Sequence, residues 1–229
     1  NGAIWPWLNG IAMQRMIELG QPDLAWQLFA NMNEIALTRG VVGGLPENLD
    51  AYPHPGESAP RLTGTFLQGW SNAEQLRVWY QGFLGIQPDL EHGVIRLAPR
   101  LPEAFGDVEF NSRIGAGLLH ASYERSDRGR RYTWRLQGQS ARLDLDIVPF
   151  ERHSVTATAG DTVIVEHTAD SLVVRHVGIG GSEGEPVTVT PAPSRREQQA
   201  RFDAILAGTE FAKPGSAAAH PALRQSRTP

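Results

Sequence analysis

The chain has 229 residues, of which 41% are hydrophobic and 20% are charged, a composition typical of a globular protein with one large or two small domains. Its net charge of −4 offers no basic surface, which excludes a general affinity for nucleic acid or for anionic membranes. No apolar run reaches the roughly 18 residues that a membrane-spanning helix needs. The absence of cysteine excludes disulfides, thiolate metal sites and cysteine nucleophiles, and it favours a cytoplasmic location.

The first part of the chain has the periodicity of amphipathic helices. Two prolines, Pro6 and Pro22, suit the first turns of helices. Behind each of them, apolar residues recur at spacings of three and four until Gly20 and Gly40 interrupt the pattern. The sequence therefore predicts two consecutive helices near its start.

A long irregular segment, residues 41–66, separates these helices from a third. The third helix is predicted to begin at Ser71, because Ser71 and Glu74 have the spacing of a capping box. Loops of this length within a compact domain are usually functional or disordered. The segment is therefore a candidate for a binding or catalytic site.

After Gly85 the pattern changes to that of short strands. Alternating or β-branched runs occupy residues 93–98, 117–123, 131–136, 141–147, 162–166 and 171–175. Turn-forming residues separate several of these runs, which indicates a small antiparallel β-sandwich. The residues that follow are typical of a linker, then of a short helix with a capping box at Ser194 and Glu197, and finally of a disordered tail.

Three pieces of the front part combine aromatic and polar side chains in loops or at helix starts. They are Trp5-Pro6-Trp7, Pro46-Glu47-Asn48 and Gln68-Gly69-Trp70-Ser71. Indole rings stack on the apolar faces of sugars, amides and carboxylates bond sugar hydroxyls, and a carboxylate in such a setting can act as a glycosidase acid or base. Judged by residue type alone, Glu47 would be a solvated loop carboxylate and Asp50 a turn former.

In their order, these three pieces resemble the C-terminal part of the catalytic domain of glycogen debranching enzymes, the amylo-α-1,6-glucosidase family of six-hairpin glycosidases. The family pattern runs from a Trp-Pro-Trp element through a Pro-Glu or Ser-Glu loop to a Gln-(Ala/Gly)-Trp-Ser helix start. The resemblance covers residues 1–85. Residues 97–102 and the strands after them resemble, more weakly, the small β-domain that closes many such enzymes.

The resemblance implies an α+β chain with three parts. Residues 1–85 would be the last hairpins of an (α/α)6 toroid, the C-terminal part of a catalytic domain that begins upstream. Residues 86–178 would be the antiparallel β-sandwich, and residues 179–229 would be the linker, short helix and disordered tail.

The resemblance also implies an inverting hydrolase that cleaves α-glucosidic bonds, chiefly α-1,6 bonds, of glycogen-like α-glucans. Glu47 matches the family's general base. The substrate-binding candidates are Trp5, Trp7, Asn48, Asp50, Gln68 and Trp70. The general acid would lie in the upstream part of the same catalytic domain, so the chain by itself is expected to be inactive. No cofactor is expected, and no catalytic metal either, because the histidines lack metal-ligand spacing.

Two alternatives remain open at this stage. One is a carbohydrate-binding or scaffolding chain without its own activity, because the hairpins that would carry the general acid are not found in this sequence. The other is a toroid glycosidase of other specificity, for trehalose or a rhamnoside. By contrast, Trp26 and Trp79 lie on apolar helix stripes and are predicted to be core residues.

Overall fold

Helices occur at both ends of residues 2–206, the part of the chain that this computed structural model describes. The α-helices are α1 (Pro6–Glu18), α2 (Pro22–Thr38), α3 (Gly69–Arg77) and α4 (Arg195–Leu206), and a π-helix (Val78–Phe83) continues α3. Proline occupies the first turn of α1 and of α2, where its missing N–H would have had no helical partner. The two helices predicted near the start of the chain are therefore confirmed.

Thirteen strands are the other regular elements of the described chain. They are β1 (Ala3–Ile4), β2 (Asn48–Asp50), β3 (Leu62–Thr63), β4 (Ile86–Asp89), β5 (Val94–Leu97), β6 (Val108–Ile114), β7 (Gly117–Ser126), β8 (Gly129–Gln137), β9 (Ala141–Leu145), β10 (His153–Ala157), β11 (Thr162–His167), β12 (Leu172–Val177) and β13 (Val187–Val189). They form three sheets, ordered β1-β2-β3, β10-β9-β5-β4 and β13-β12-β11-β8-β7-β6. Each run that the sequence predicts as a strand overlaps one of these strands.

The two larger sheets share one apolar core with the first two helices. Alternate side chains of β7, β8 and β9 are buried, as the pleat of a half-buried strand requires. The core draws on helices and strands alike through Met13, Ile17, Phe29, Leu119, Tyr123, Trp134, Leu143 and Val165. Two sheets around one core are typical of a β-sandwich, but β5 and β9 pair in parallel, so the arrangement is not purely antiparallel.

The predicted fold class, α+β with part of an (α/α)6 toroid, is wrong. The described chain is mostly β, with three sheets and only short helices. The helical periodicity of residues 6–38 is correct, but periodicity fixes local structure and says nothing about what covers the apolar face. Here α1 packs on α2, and their buried residues join the core of the sheets rather than a ring of helical hairpins.

The chain divides between Thr190 and Pro191 into two units by its internal contacts. Within the second unit, the predicted capping box of α4 is confirmed, because the Glu197 N–H donates to Ser194 Oγ at 3.2 Å and the Ser194 N–H donates to Glu197 Oε2 at 2.7 Å. In the first unit, β13 pairs with β12 within the stretch predicted as a linker. The predicted disordered tail lies outside the described residues, and the boundaries after residues 85 and 178 stay predictions.

One carboxylate connects three arginines beside the sheet β10-β9-β5-β4. Asp146 follows β9, is 7% exposed, and accepts hydrogen bonds from Arg96, from Arg100 at 2.8 Å and from Arg152 at 3.0 Å. Burial on its own would raise the pKa of Asp146. The hydrogen bonds and charges of Arg96 and Arg100 outweigh burial, so the pKa of Asp146 lies below its ordinary value.

We expect Asp146→Asn to lower the free energy of unfolding by about 3 kcal/mol at pH 7, because three arginines lose their counter-charge. A carboxyl whose folded pKa is lowered stabilises the fold above its ordinary pKa, and this contribution disappears as the pH falls through the lowered value. Urea unfolding between pH 7 and pH 3 measures both effects, and the gap between the variant and the wild type is expected to narrow towards acid pH.

The matched control is Asp144→Asn, two residues earlier on the chain. Asp144 pairs with the exposed Arg142 at 2.9 Å and accepts from Ser154 at 2.7 Å. Because exposed ion pairs contribute little, this change is expected to cost about 1 kcal/mol or less. Equal losses in the two variants would show that the arginine cluster around Asp146 has no special role.

Candidate functional site

The small sheet β1-β2-β3 brings together the segments that carry the predicted site. β2 pairs antiparallel with β1, Ile4 opposite Leu49, and with β3, Asn48 opposite Thr63. The C-terminal ends of β1 and β3 therefore lie next to the N-terminal end of β2, and we call this end of the sheet its site edge. Trp5 follows β1 at this edge, and Glu47 precedes β2.

Glu47 is half-buried at this edge and is held by neutral donors. Its Oε2 accepts from the Thr65 hydroxyl at 3.0 Å and from the Thr65 N–H at 3.2 Å. The Glu47 N–H in turn donates to the Thr65 carbonyl at 2.8 Å. Among the described residues, no ion pair reaches Glu47 and no hydrogen bond reaches its Oε1. One carboxylate oxygen is thus fixed, and the other remains available as a proton acceptor.

Gly64 allows the backbone before Thr65 to lie close to the side chains of Glu47 and Asn48. Its φ is +70°, a conformation that residues with a side chain rarely adopt, and a Cβ at this position would lie 2.6 Å from Glu47 Oε2. The same Cβ would lie 3.1 Å from Asn48 Nδ2. Gly64 therefore forms part of the floor beneath the Glu47 and Asn48 side chains.

Gln68 connects the site to the start of α3. It is the N-cap of α3, where its Oε1 accepts from the Gly69 N–H at 3.1 Å. Its Nε2 donates to the Thr65 hydroxyl at 3.2 Å. An amide nitrogen carries two hydrogens, so Gln68 keeps a second donor for a ligand.

The first turn of α3 is bound to the loop before Glu47. The buried Ser71 hydroxyl donates to the Pro46 carbonyl at 3.0 Å, and Asn72 Oδ1 accepts from the Leu45 N–H at 2.8 Å. The predicted capping box of Ser71 and Glu74 is therefore wrong, because α3 already begins at Gly69 and Ser71 lies inside it. Instead, Ser71 fixes the loop that carries the candidate base.

Three tryptophans and one leucine line an open apolar cavity of about 570 Å³, namely Trp5, Trp7, Leu8 and Trp70. Trp70 is 50% exposed, and Trp5 and Trp7 are half-buried. Trp26 and Trp79 behave differently, since both stack on the buried Phe29, with ring centroids 5.5 and 5.9 Å away. Their predicted place in the core is confirmed. The cavity offers flat apolar faces of the kind on which pyranose rings stack.

Asn48 and Asp50 lie on β2 and are half-buried. Asn48 Oδ1 is a buried acceptor without a hydrogen-bond partner among the described residues. Asp50 Oδ2 lies 2.8 Å from Nε2 of the exposed His54, four residues along the loop. Of the two, Asn48 lies nearer to Glu47, whereas Asp50 points to the Tyr52–Arg61 part of the loop through its contact with His54.

The other carboxylates on these segments are paired with bases. Glu57 Oε1 lies 2.5 Å from Arg61 Nη2, and Glu74 Oε2 lies 2.5 Å from Arg77 Nη2. The hydrogen bond from Arg61 holds the pKa of Glu57 below its ordinary value. A general acid must carry a proton before the reaction, so Glu57 is unsuited to that role.

Metal and membrane features were sought in the same part of the chain. Residues 2–206 contain no group of three or more His, Cys, Asp or Glu side chains arranged to hold a metal ion. Nor does any helix in this range have the length and apolarity to cross a membrane.

No protein-family model and no curated protein sequence matches this chain. The resemblance to glycogen debranching enzymes therefore stays a prediction that depends on the three motifs. What the structure adds is their proximity: β1, β2 and the start of α3 belong to one hydrogen-bonded assembly. Thr65 and Gly64 belong to the same assembly and were not among the sequence candidates, and Ser71 was expected only as a helix cap.

Proposed function

We propose that this chain forms the base-bearing side of a glycoside hydrolase active site that cleaves α-glucosidic bonds, chiefly α-1,6 bonds, of glycogen-like α-glucans. The observation that carries the proposal is the convergence of Glu47 with Trp5, Trp7 and Trp70 on one small sheet and one helix start. A carboxylate that can accept a proton and an apolar aromatic surface on which a sugar ring can stack are two of the features that glycosidase sites use.

In the proposed mechanism Glu47 is the general base of a single displacement with inversion. Its free Oε1 removes a proton from water, and the water oxygen forms a bond to the anomeric carbon. The bond from that carbon to the leaving oxygen breaks, and a general acid supplies the proton that the leaving oxygen needs. The two carboxyl groups of inverting glycosidases lie about 6.5–9.5 Å apart, which leaves room for the water.

The aromatic and amide side chains bind the sugar in this proposal. Trp5, Trp7 and Trp70 stack on ring faces, and the second amide hydrogen of Gln68 donates to a hydroxyl. Asn48 and Asp50 supply further hydrogen bonds on the β2 side. No cofactor takes part.

The general acid is assigned to the upstream part of the same catalytic domain. This assignment is supported by the pairing of Asp50 with His54, of Glu57 with Arg61 and of Glu74 with Arg77, so each of these carboxylates already has a basic partner. The chain alone is accordingly proposed to be inactive. A cytoplasmic location is proposed because the chain lacks cysteine.

A substrate comparison tests the proposed reaction. The full-length protein is incubated separately with a branched limit dextrin, trehalose and an aryl rhamnoside, and the released sugar is followed by NMR in the first minutes. We expect glucose from the limit dextrin only, released as the β-anomer because an α-bond is cleaved with inversion. Release of the α-anomer would contradict the inverting mechanism.

The same experiment separates the alternatives. Retention of the protein on immobilised glucan without any release of sugar would support a carbohydrate-binding chain and overturn the hydrolase. Faster release from trehalose or from the rhamnoside would keep Glu47 as the base but replace the α-1,6-glucan as substrate.

A further inference from the structure

A short hydrogen-bond chain runs from Gln68 through Thr65 to Glu47, and its direction is fixed by chemistry. Gln68 Nε2 can only donate, and it lies 3.2 Å from the Thr65 hydroxyl. An ionised Glu47 carboxylate can only accept, and its Oε2 lies 3.0 Å from the same hydroxyl. The Thr65 hydroxyl must therefore accept from Gln68 and donate to Glu47.

The Thr65 backbone strengthens this arrangement. Its N–H donates to the same Oε2 at 3.2 Å, and its carbonyl accepts from the Glu47 N–H at 2.8 Å. Both hydrogen bonds that Thr65 donates to the Glu47 carboxylate therefore reach Oε2, while Oε1 is left without a donor among the described residues. A carboxylate bound in this way cannot rotate freely about its last side-chain bond.

The consequence for the reaction concerns geometry rather than sugar binding. A general base must present its accepting oxygen to the attacking water within about 2.6–3.2 Å, and small misplacements reduce the rate strongly. We infer that Thr65 is a positioning residue for Glu47, which fixes Oε2 so that Oε1 faces the water. This inference depends on the proposed role of Glu47 as the base.

The decisive comparison uses three variants of the full-length protein: Thr65→Val, Thr65→Ser and Thr63→Val. Valine keeps the shape of threonine but removes the hydroxyl, whereas serine keeps the hydroxyl. Thr63 lies two residues earlier, on β3, and serves as the matched control because it contributes no side-chain hydrogen bond to Glu47. Turnover of a branched limit dextrin gives kcat and KM, and thermal melting checks the fold.

We expect Thr65→Val to lower kcat about tenfold and to change KM less than twofold, because the lost interaction acts on the reaction rather than on substrate binding. Thr65→Ser is expected to restore most of the rate, and Thr63→Val to leave it unchanged. Thr65 is exposed, Thr63 is half-buried, and each change alters no more than one methyl or hydroxyl group, so the three variants are expected to melt within a few degrees of the wild type.

Three results would overturn the inference. They are equal losses in Thr65→Val and Thr65→Ser, a rise in KM with unchanged kcat, and a wild-type rate in Thr65→Val. In each of these cases the base assignment still stands if Glu47→Gln is inactive, so the two proposals fail separately. If Thr65→Val melts early, Thr65→Ala takes its place as the variant without the hydroxyl, and a wild-type kcat in that variant would likewise overturn the inference.

Discussion

Glu47→Gln is expected to lower turnover of a branched α-glucan at least a hundredfold, with no loss of folded protein. Glutamine has nearly the same shape as glutamate, and its amide oxygen can still accept from Thr65 in place of Oε2. It cannot take a proton from water, and general base catalysis contributes about 10²–10⁴ to such rates. The measurement is kcat on a limit dextrin with the full-length protein.

The matched control for this change is Glu57→Gln. Glu57 lies on the same loop, is exposed and pairs with Arg61, so its loss is expected to change kcat less than twofold. Turnover of Glu47→Gln within tenfold of the wild type would show that Glu47 is not the base. Loss of turnover in Asp50→Asn alone would then transfer that role to Asp50.

The second large effect concerns stability, and it is expected from Gly85→Ala. Gly85 joins the π-helix to β4 with φ at +72°, and a Cβ there would lie 2.0 Å from the Ala98 carbonyl carbon. Neither segment can move aside easily, because the Ala98 N–H donates to the Gly85 carbonyl at 2.8 Å. Backbone strain and the clash together are expected to cost about 4 kcal/mol of unfolding free energy.

Gly93→Ala separates the two contributions. Gly93 has a similar φ of +65°, but no atom lies within 4 Å of the position that its Cβ would occupy. Strain alone is therefore expected to cost about 1–2 kcal/mol there. Guanidinium unfolding of both variants gives the difference, and equal costs would mean that the approach of Ala98 to Gly85 contributes nothing.

Local patterns in the sequence are sufficient to predict most individual elements. The starts of α1 and α2 follow from Pro6 and Pro22, and the alternation of β7, β8 and β9 follows from one buried face. The assembly of those elements does not follow, because an apolar helix stripe does not specify its partner. The stripes of α1 and α2 are covered by the core of the sheets, and this is why the expectation of a toroid failed.

The smallest strands show the same limit more sharply. β1 and β3 have two residues each, and both depend on pairing with β2. For β1 the partner lies more than forty residues along the chain, where Ala3 meets Asp50, so no local window of sequence contains both strands. β6 was missed for another reason, since its run from Val108 to Ile114 contains more polar than apolar residues.

Some residues of the candidate site could be predicted from the sequence, and others could not. Glu47, Gln68 and the tryptophans were identified by motif, and motifs record side chains of distinctive chemistry. Thr65 has no such signature, because a threonine after a glycine is typical of many loops. Only the register of β2 against β3 places its hydroxyl beside Glu47.

Because α3 continues into the π-helix, the orientation of α3 relative to β4 depends on the number of residues in that π-helix. At its end the Leu84 N–H donates to the Trp79 carbonyl, five residues earlier, at 3.0 Å, so this turn holds one more residue than an α-helical turn. Removing one residue between Val78 and Phe83 would allow ordinary α-helical bonding and would rotate α3 by about 100° relative to β4. Trp70 would then turn away from Trp5, although every residue of the site would still be present. A single-residue deletion more than thirty residues along the chain from Glu47 would therefore change the apolar cavity lined by Trp5, Trp7 and Trp70.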